Sequence, residues 1–123
     1  MKITGFCPLI VTKDAEAVMR VFEDLGFTRR HTKTDIEDGA NTSFAMKDEN
    51  GNRINIASSE TIPQDLTAIN INVDNFQEAY DFLISHGFVN PRGDKVTDTS
   101  SSKATLLFSP SGFAVNISEH LKK

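Results

Sequence analysis

Hydrophobic and polar residues change period twice along this chain. "GFCPLIVT", Gly5 to Thr12, has the period of about two that suits a strand, and "DAEAVMRVFEDLGF" has the period of about 3.6 that suits an amphipathic helix. Asp14 is placed to cap that helix. Val18, Val21, Phe22 and Leu25 fall on one apolar stripe, and Gly26 is the expected stop. Three short alternating segments follow, "TRRHTKTD", "TSFAMKDE" and "RINIASS". The stretches between them, "DIEDGAN" and "DENGN", carry the Asp, Asn and Gly residues that favour tight turns. The first half therefore predicts the order βαβββ.

The second half repeats it. Strand "TAININV" precedes helix "NFQEAYDFLISHGF", capped by Asn75 and stopped by Gly87, and strands "FVNPRGDKVTD", "KATLLFSP" and "FAVNISE" follow. A shift of sixty-one positions superimposes the halves without a gap. Asp14 falls on Asn75, Gly26-Phe27 on Gly87-Phe88, Gly51 on Gly112, and Asn55-Ile56 on Asn116-Ile117. Identities are few, but they sit at helix start, helix stop, hairpin turn and final strand, which points to an internal duplication. The expectation is one α+β domain over 1–123, with module one at 1–57, a linker at 58–66 and module two at 67–123. Pro63 should hold the linker "SSETIPQD" extended.

Composition narrows the function classes. At 123 residues, 38% hydrophobic and 24% charged, the chain is an ordinary globular domain with enough length for a core. A net charge of −4 argues against nucleic-acid binding, because Arg29-Arg30 is a pair and not a basic patch. No apolar run approaches the ~20 residues of a membrane span, and the opening "MKITGFCPLIVTKD" breaks too early for a signal peptide. A cytoplasmic location is expected, with no membrane partner. A single cysteine, Cys7, cannot form an internal disulfide.

Two βαβββ units of about sixty residues, each with a helix such as "KDAEAVMRVFEDLGF" or "DNFQEAYDFLISHGF" and a closing strand after a glycine turn, resemble the vicinal oxygen chelate superfamily. That superfamily includes glyoxalase I, extradiol dioxygenases, fosfomycin-modifying enzymes and bleomycin-binding resistance proteins. The resemblance is strongest at "VTKDAEAVMRVFEDLGF" and covers essentially the whole chain. It implies a cup-shaped mixed sheet and a homodimer. Metal-using members place a ligand on the first strand of each unit, usually His, and another on the last strand, usually Glu. Those positions read Cys7 and Asn55 in module one, and Ala68 and Asn116 in module two.

Carboxamides and an alanine cannot replace imidazole and carboxylate donors for Zn²⁺, Ni²⁺, Mn²⁺ or Fe²⁺. His31, His86 and His120 share no short strand or helical spacing that would restore a site. Neither a metal nor any other cofactor is therefore expected. Strand alternation turns Ile54, Ile56, Val115 and Ile117 toward the helices, and Asn55 and Asn116 toward the other face. Ile69, Ile71 and Val73 pack inward on the same logic. Cys7, Arg53, Asn55, Ala68, Asn70, Asn72, Asn116 and Ser118 then form the expected ligand-binding surface, suited to a small polar molecule. The alternative is that the asparagines face solvent or bond to one another across strands.

Several residues carry a second reading. Cys7 sits at a family site position, but with no identifiable activating base a buried structural cysteine is the expectation. Glu119 and His120 point to opposite faces if their strand continues, and read as frayed terminal residues. The "RRHTK" run, Arg29 to Lys33, reads as edge-strand protection before it reads as an anion site. Phe22, Phe27, Phe82 and Phe88 read as core. The functional expectation is a metal-free small-molecule-binding protein; the alternative is a divalent-metal-dependent enzyme of glyoxalase, lyase or dioxygenase type.

Overall fold

The structure, a computed structural model, describes the backbone of residues 1–36, 41–98 and 102–120, and their side chains apart from those of 31–36 and 41–42. The turn expected within "DIEDGAN" and the side chains of His31 and Lys33 lie outside the described residues. The fold is mixed α+β. Its elements are β1 (Ile3–Thr12), α1 (Ala15–Asp24), β2 (Thr28–Ile36), β3 (Asn41–Lys47), β4 (Arg53–Ser58), β5 (Leu66–Val73), α2 (Phe76–Ser85), β6 (Thr97–Asp98), β7 (Ser102–Phe108) and β8 (Ala114–His120). They divide into two compact units: the first is Cys7–Thr67, and the second is Met1–Phe6 with Ala68–Lys123.

In the first unit the strand order is β2-β3-β4-β1, antiparallel except for the parallel β1–β4 pair. Helix α1 begins where the Asp14 carboxylate accepts from the Ala17 amide, and ends at Gly26, whose φ of 110° opens the left-handed region that a side chain disfavours. Its buried face is Ala15 and Met19, packed with Met46, Ile54 and Ile56 and flanked by Val18, Phe22 and Phe27. Met19 and Ile56 are fully buried, and each such side chain contributes roughly 1.5–3 kcal/mol. The expected stripe is thus rotated. Val21 and Leu25 are 57% and 68% exposed, because Met19 rather than Val21 takes the place over the sheet.

The second unit has the order β5-β8-β7-β6, with β5–β8 parallel and the others antiparallel. Val73, Phe76, Ala79, Leu107, Val115 and Ile117 form its core, with Ile71, Tyr80, Leu83 and Phe88 against it. Two expected core residues are not there. Phe82 is half exposed and stacks on the His86 ring at 4.3 Å, and Ile69 is 37% exposed although it lies on the helix-facing side of β5.

The sixty-one-residue shift carries α1 onto α2 and β3 onto β7 end for end. It fails between Phe88 and Asp98. The expected strand "FVNPRGDKVTD" is a series of turns with one bridge, Val89 to Phe108, and the two-residue β6. Pro91 has no amide to give a ladder. The Asn90 side chain fixes the turn by accepting from Arg92 N and donating to Lys95 O and the Tyr80 hydroxyl. The linker likewise bends at Glu60–Thr61 and Pro63–Gln64 instead of running extended.

Candidate ligand-binding face

In the second unit, the parallel register sets Ala68 beside Ala114, Asn70 beside Asn116, and Asn72 beside Ser118. These six residues share the face of β5 and β8 turned away from α2, since Ile71, Val73, Val115 and Ile117 occupy the other. Strand β7 extends that face with Ala104 beside Ser118 and Leu106 beside Asn116.

The polar members form a directed relay. Asn116 donates its Nδ2 to the Oδ1 of Asn70 at 2.8 Å, and Asn70 donates its own Nδ2 to the Oδ1 of Asn72 at 3.4 Å. The Ser118 hydroxyl also donates to that Asn72 oxygen. Asn70, only 5% exposed, is therefore satisfied at both ends of its carboxamide. Cross-strand bonding is the observed state. Asn72 Nδ2 and Asn116 Oδ1 have no hydrogen-bond partner among the described residues, and neither atom is fully buried. Ala68, at 3% exposure, contributes surface without a polar atom.

In the first unit the corresponding register places Asn55 between Leu9 on β1 and Ala45 on β3. Asn55 is half-buried and makes no side-chain hydrogen bond among the described residues. Cys7 is buried, as expected, and Arg53 lies exposed at the start of β4 beside Lys47 in register. In the second unit Asn70, Asn72, Asn116 and Ser118 are thus a bonded group, whereas in the first Arg53 and Asn55 share one face of β4 without a bond between them.

The two glycine turns that feed β4 and β8 are built alike. Asp48 N donates to Asn52 O at 3.0 Å, and Ser109 N to Phe113 O at 2.8 Å. Asp48 Oδ1 accepts from the amides of Asn50 and Asn52, as Ser109 Oγ accepts from those of Gly112 and Phe113. Bonds from Asn52, its side chain above all, hold the Asp48 carboxyl below its ordinary range. A groove of about 640 Å³ runs beside this first turn, lined by Leu25, Gly26, Thr28, Arg30 and Lys47 with Asp48, Glu49 and Asn50. None of the eight residues of the expected ligand-binding surface line it, although Arg30 of the "RRHTK" run does. Its lining carries two cations, Arg30 and Lys47, and two carboxylates, Asp48 and Glu49, so its formal charge is balanced.

Three residues take roles not foreseen. Glu119 is not frayed: its carboxylate accepts from Phe76 N at 2.8 Å and satisfies an otherwise open amide at the start of α2. Arg29 is engaged, with Nη2 on Glu16 at 2.7 Å and Nε on Glu23 at 3.0 Å, which ties edge strand β2 to α1. Gly5 lies under Asn72. A glycine inside an alternating strand signals close approach of another group, and that signal was available in "ITGFCPLIVT".

A metal does not fit the positions that the family uses. Asn55 and Asn116 are neutral carboxamides, Ala68 has no donor atom, and the Cys7 thiol alone does not supply the several anionic or imidazole donors such an ion needs. Among the described residues, no three His, Cys, Asp or Glu side chains come together.

The sequence profile of the Glyoxalase/Bleomycin resistance protein/Dioxygenase superfamily matches residues 6–117, and the chain belongs to that superfamily. Solved structures share the fold. Methylmalonyl-CoA epimerase from Mycobacterium tuberculosis is similar with a TM-score of 0.68 at 14% identity, over 98% of this chain and 90% of that one. The Streptomyces coelicolor methylmalonyl-CoA epimerase in complex with 2-nitronate-propionyl-CoA gives 0.65 at 15%, over 98% and 100%. A superfamily member from Vibrio splendidus 12B01 gives 0.61 at 14%, over 96% and 99%. No curated protein matches the chain in sequence. Among the described residues, no helix is long and apolar enough to cross a membrane.

Proposed function

We propose that this superfamily member is a metal-free small-molecule-binding protein, active in the cytoplasm as a homodimer, that takes a small polar ligand on the face carrying Asn70, Asn72, Asn116 and Ser118. Metabolite or antibiotic sequestration is the role such binding would serve. The observation that carries the reading is the relay itself. It is neutral, it holds a buried Asn70 in one orientation, and it leaves Asn72 Nδ2 and Asn116 Oδ1 without hydrogen-bond partners among the described residues. A fixed carboxamide pair can recognise a ligand by hydrogen bonds without an ion to neutralise charge. Ala68 belongs to the same face of the second unit, and Cys7, Arg53 and Asn55 are the proposed ligand-binding residues of the first. The fold neighbours include epimerases, but at 14–15% identity the likeness extends to the fold and supports no particular reaction.

Native mass spectrometry of untagged protein, purified without chelator and incubated in turn with Zn²⁺, Ni²⁺, Mn²⁺ and Fe²⁺, tests the proposal. A dimer that holds no stoichiometric metal and retains an organic mass is the expected result. One tightly held ion per subunit would overturn it and direct work to glyoxalase and dioxygenase assays.

A further inference from the structure

We infer that Gly5 is a positioning residue for the carboxamide relay, and that the hydrogen atom it carries in place of a side chain sets what Asn72 can offer a ligand. This rests on the proposed binding role of that face, although the positioning itself does not need a ligand. A Cβ built on Gly5 would lie 2.8 Å from Asn72 Nδ2 and 3.4 Å from both Asn72 Cβ and Cγ. The Asn72 side chain therefore lies flat on β1, in a space that alanine would fill. The backbone of Gly5 does not lie in the left-handed region that glycine alone adopts readily, so conformation is not what requires glycine there. Contact with Asn72 is.

The consequence is chemical. In this position Asn72 Oδ1 accepts from both Asn70 Nδ2 and the Ser118 hydroxyl, which uses its two lone pairs. Asn72 then has only N–H donors left. The ligand group that meets it is an acceptor oxygen, of a carbonyl or carboxylate, and not an N–H or O–H donor. Displacement of Asn72 by a methyl group would free Oδ1, remove an acceptor from Asn70, and blur that selectivity.

Gly5→Ala, Asn72→Ala and the double variant separate this from a general effect on folding. Alanine in a strand normally raises stability slightly over glycine, because the unfolded chain loses less freedom. Gly5→Ala is expected to lower the denaturation midpoint in the wild-type background and to raise it in Asn72→Ala, where the space is vacant. It should also shift the side-chain amide NMR signals of Asn70, Asn72 and Asn116. An equal effect of Gly5→Ala in both backgrounds, with those signals unmoved, would overturn the inference. The acceptor-only probe N,N-dimethylacetamide should shift the Asn72 amide signal in wild type and lose that effect in Gly5→Ala. Equal shifts in both proteins would overturn the selectivity. If neither protein responds while the two substitutions remain coupled, Gly5 keeps its positioning role and the binding role of the face falls.

Discussion

Asn116 donates a hydrogen bond to Asn70 across the parallel β5–β8 pair. In the first unit the same register sets Asn55 beside Leu9, so duplication preserved the geometry while only one copy became a polar pair.

Conversion of the second unit to the first tests the pair. Asn70→Leu should cost about 1–3 kcal/mol, because a buried donor and acceptor are replaced while Asn116 and Asn72 lose their partner. The lower end is expected, since Asn116 is only half-buried and can turn toward water. Urea denaturation measures it. An unchanged midpoint would mean that the relay contributes nothing to the fold.

Glu119 bonds to Phe76 N and thereby joins the end of β8 to the start of α2. Glu119→Ala should cost about 0.5–2 kcal/mol, as loss of a helix-capping acceptor does. Glu119→Gln keeps an acceptor oxygen and should lose only the smaller charge–dipole part, about 0.3–1 kcal/mol. Thermal denaturation of the two variants orders these costs, and equal losses would show that charge, not the hydrogen bond, is what matters.

The repeat was legible because its markers are local. Asp14, Asn75, Gly26 and Gly87 act on backbone within a turn of themselves, so sequence alone places both helices. The apolar stripe of α1 was legible only in part. Val18, Val21, Phe22 and Leu25 satisfy the helical period, but so does the set through Ala15, Met19 and Phe22, and only the sheet decides which one is covered. "FVNPRGDKVTD" misled because its period suits a strand while Asn90 and Pro91 impose a turn. The asparagine face followed from alternation, but its internal bonding needed the strand register, which no local pattern encodes.

Gly26 and Gly87 end equivalent helices but are not equivalent to substitution. Both have positive φ, 110° and 91°, so alanine at either position should cost about 1–2 kcal/mol in backbone strain. A Cβ on Gly26 meets nothing within 4 Å, whereas one on Gly87 would approach Pro110 Cγ to 2.9 Å. Gly87→Ala should therefore destabilise more than Gly26→Ala. Equal shifts in urea midpoint would show that Pro110 moves aside freely.

Arg29 gives the protein a readable acid response. Its hydrogen bond to Glu16 is the main reason that this carboxyl titrates below its ordinary value of 4.5. A depressed folded value means that the unfolded chain takes up a proton first as pH falls. The stabilisation is thus fully present above the unfolded value and disappears as pH drops through the folded one. Arg29→Met should lower the urea midpoint at pH 7, with a gap from wild type that narrows below about pH 4.5 as Glu16 is protonated. Because Glu16 and Arg29 are solvent-exposed, molar salt should shrink the gap at neutral pH as well. Midpoints measured from pH 7 to pH 3 at low and high salt check both trends. A gap independent of pH and salt would assign the effect of Arg29 to the packing of its aliphatic stem and not to its charge.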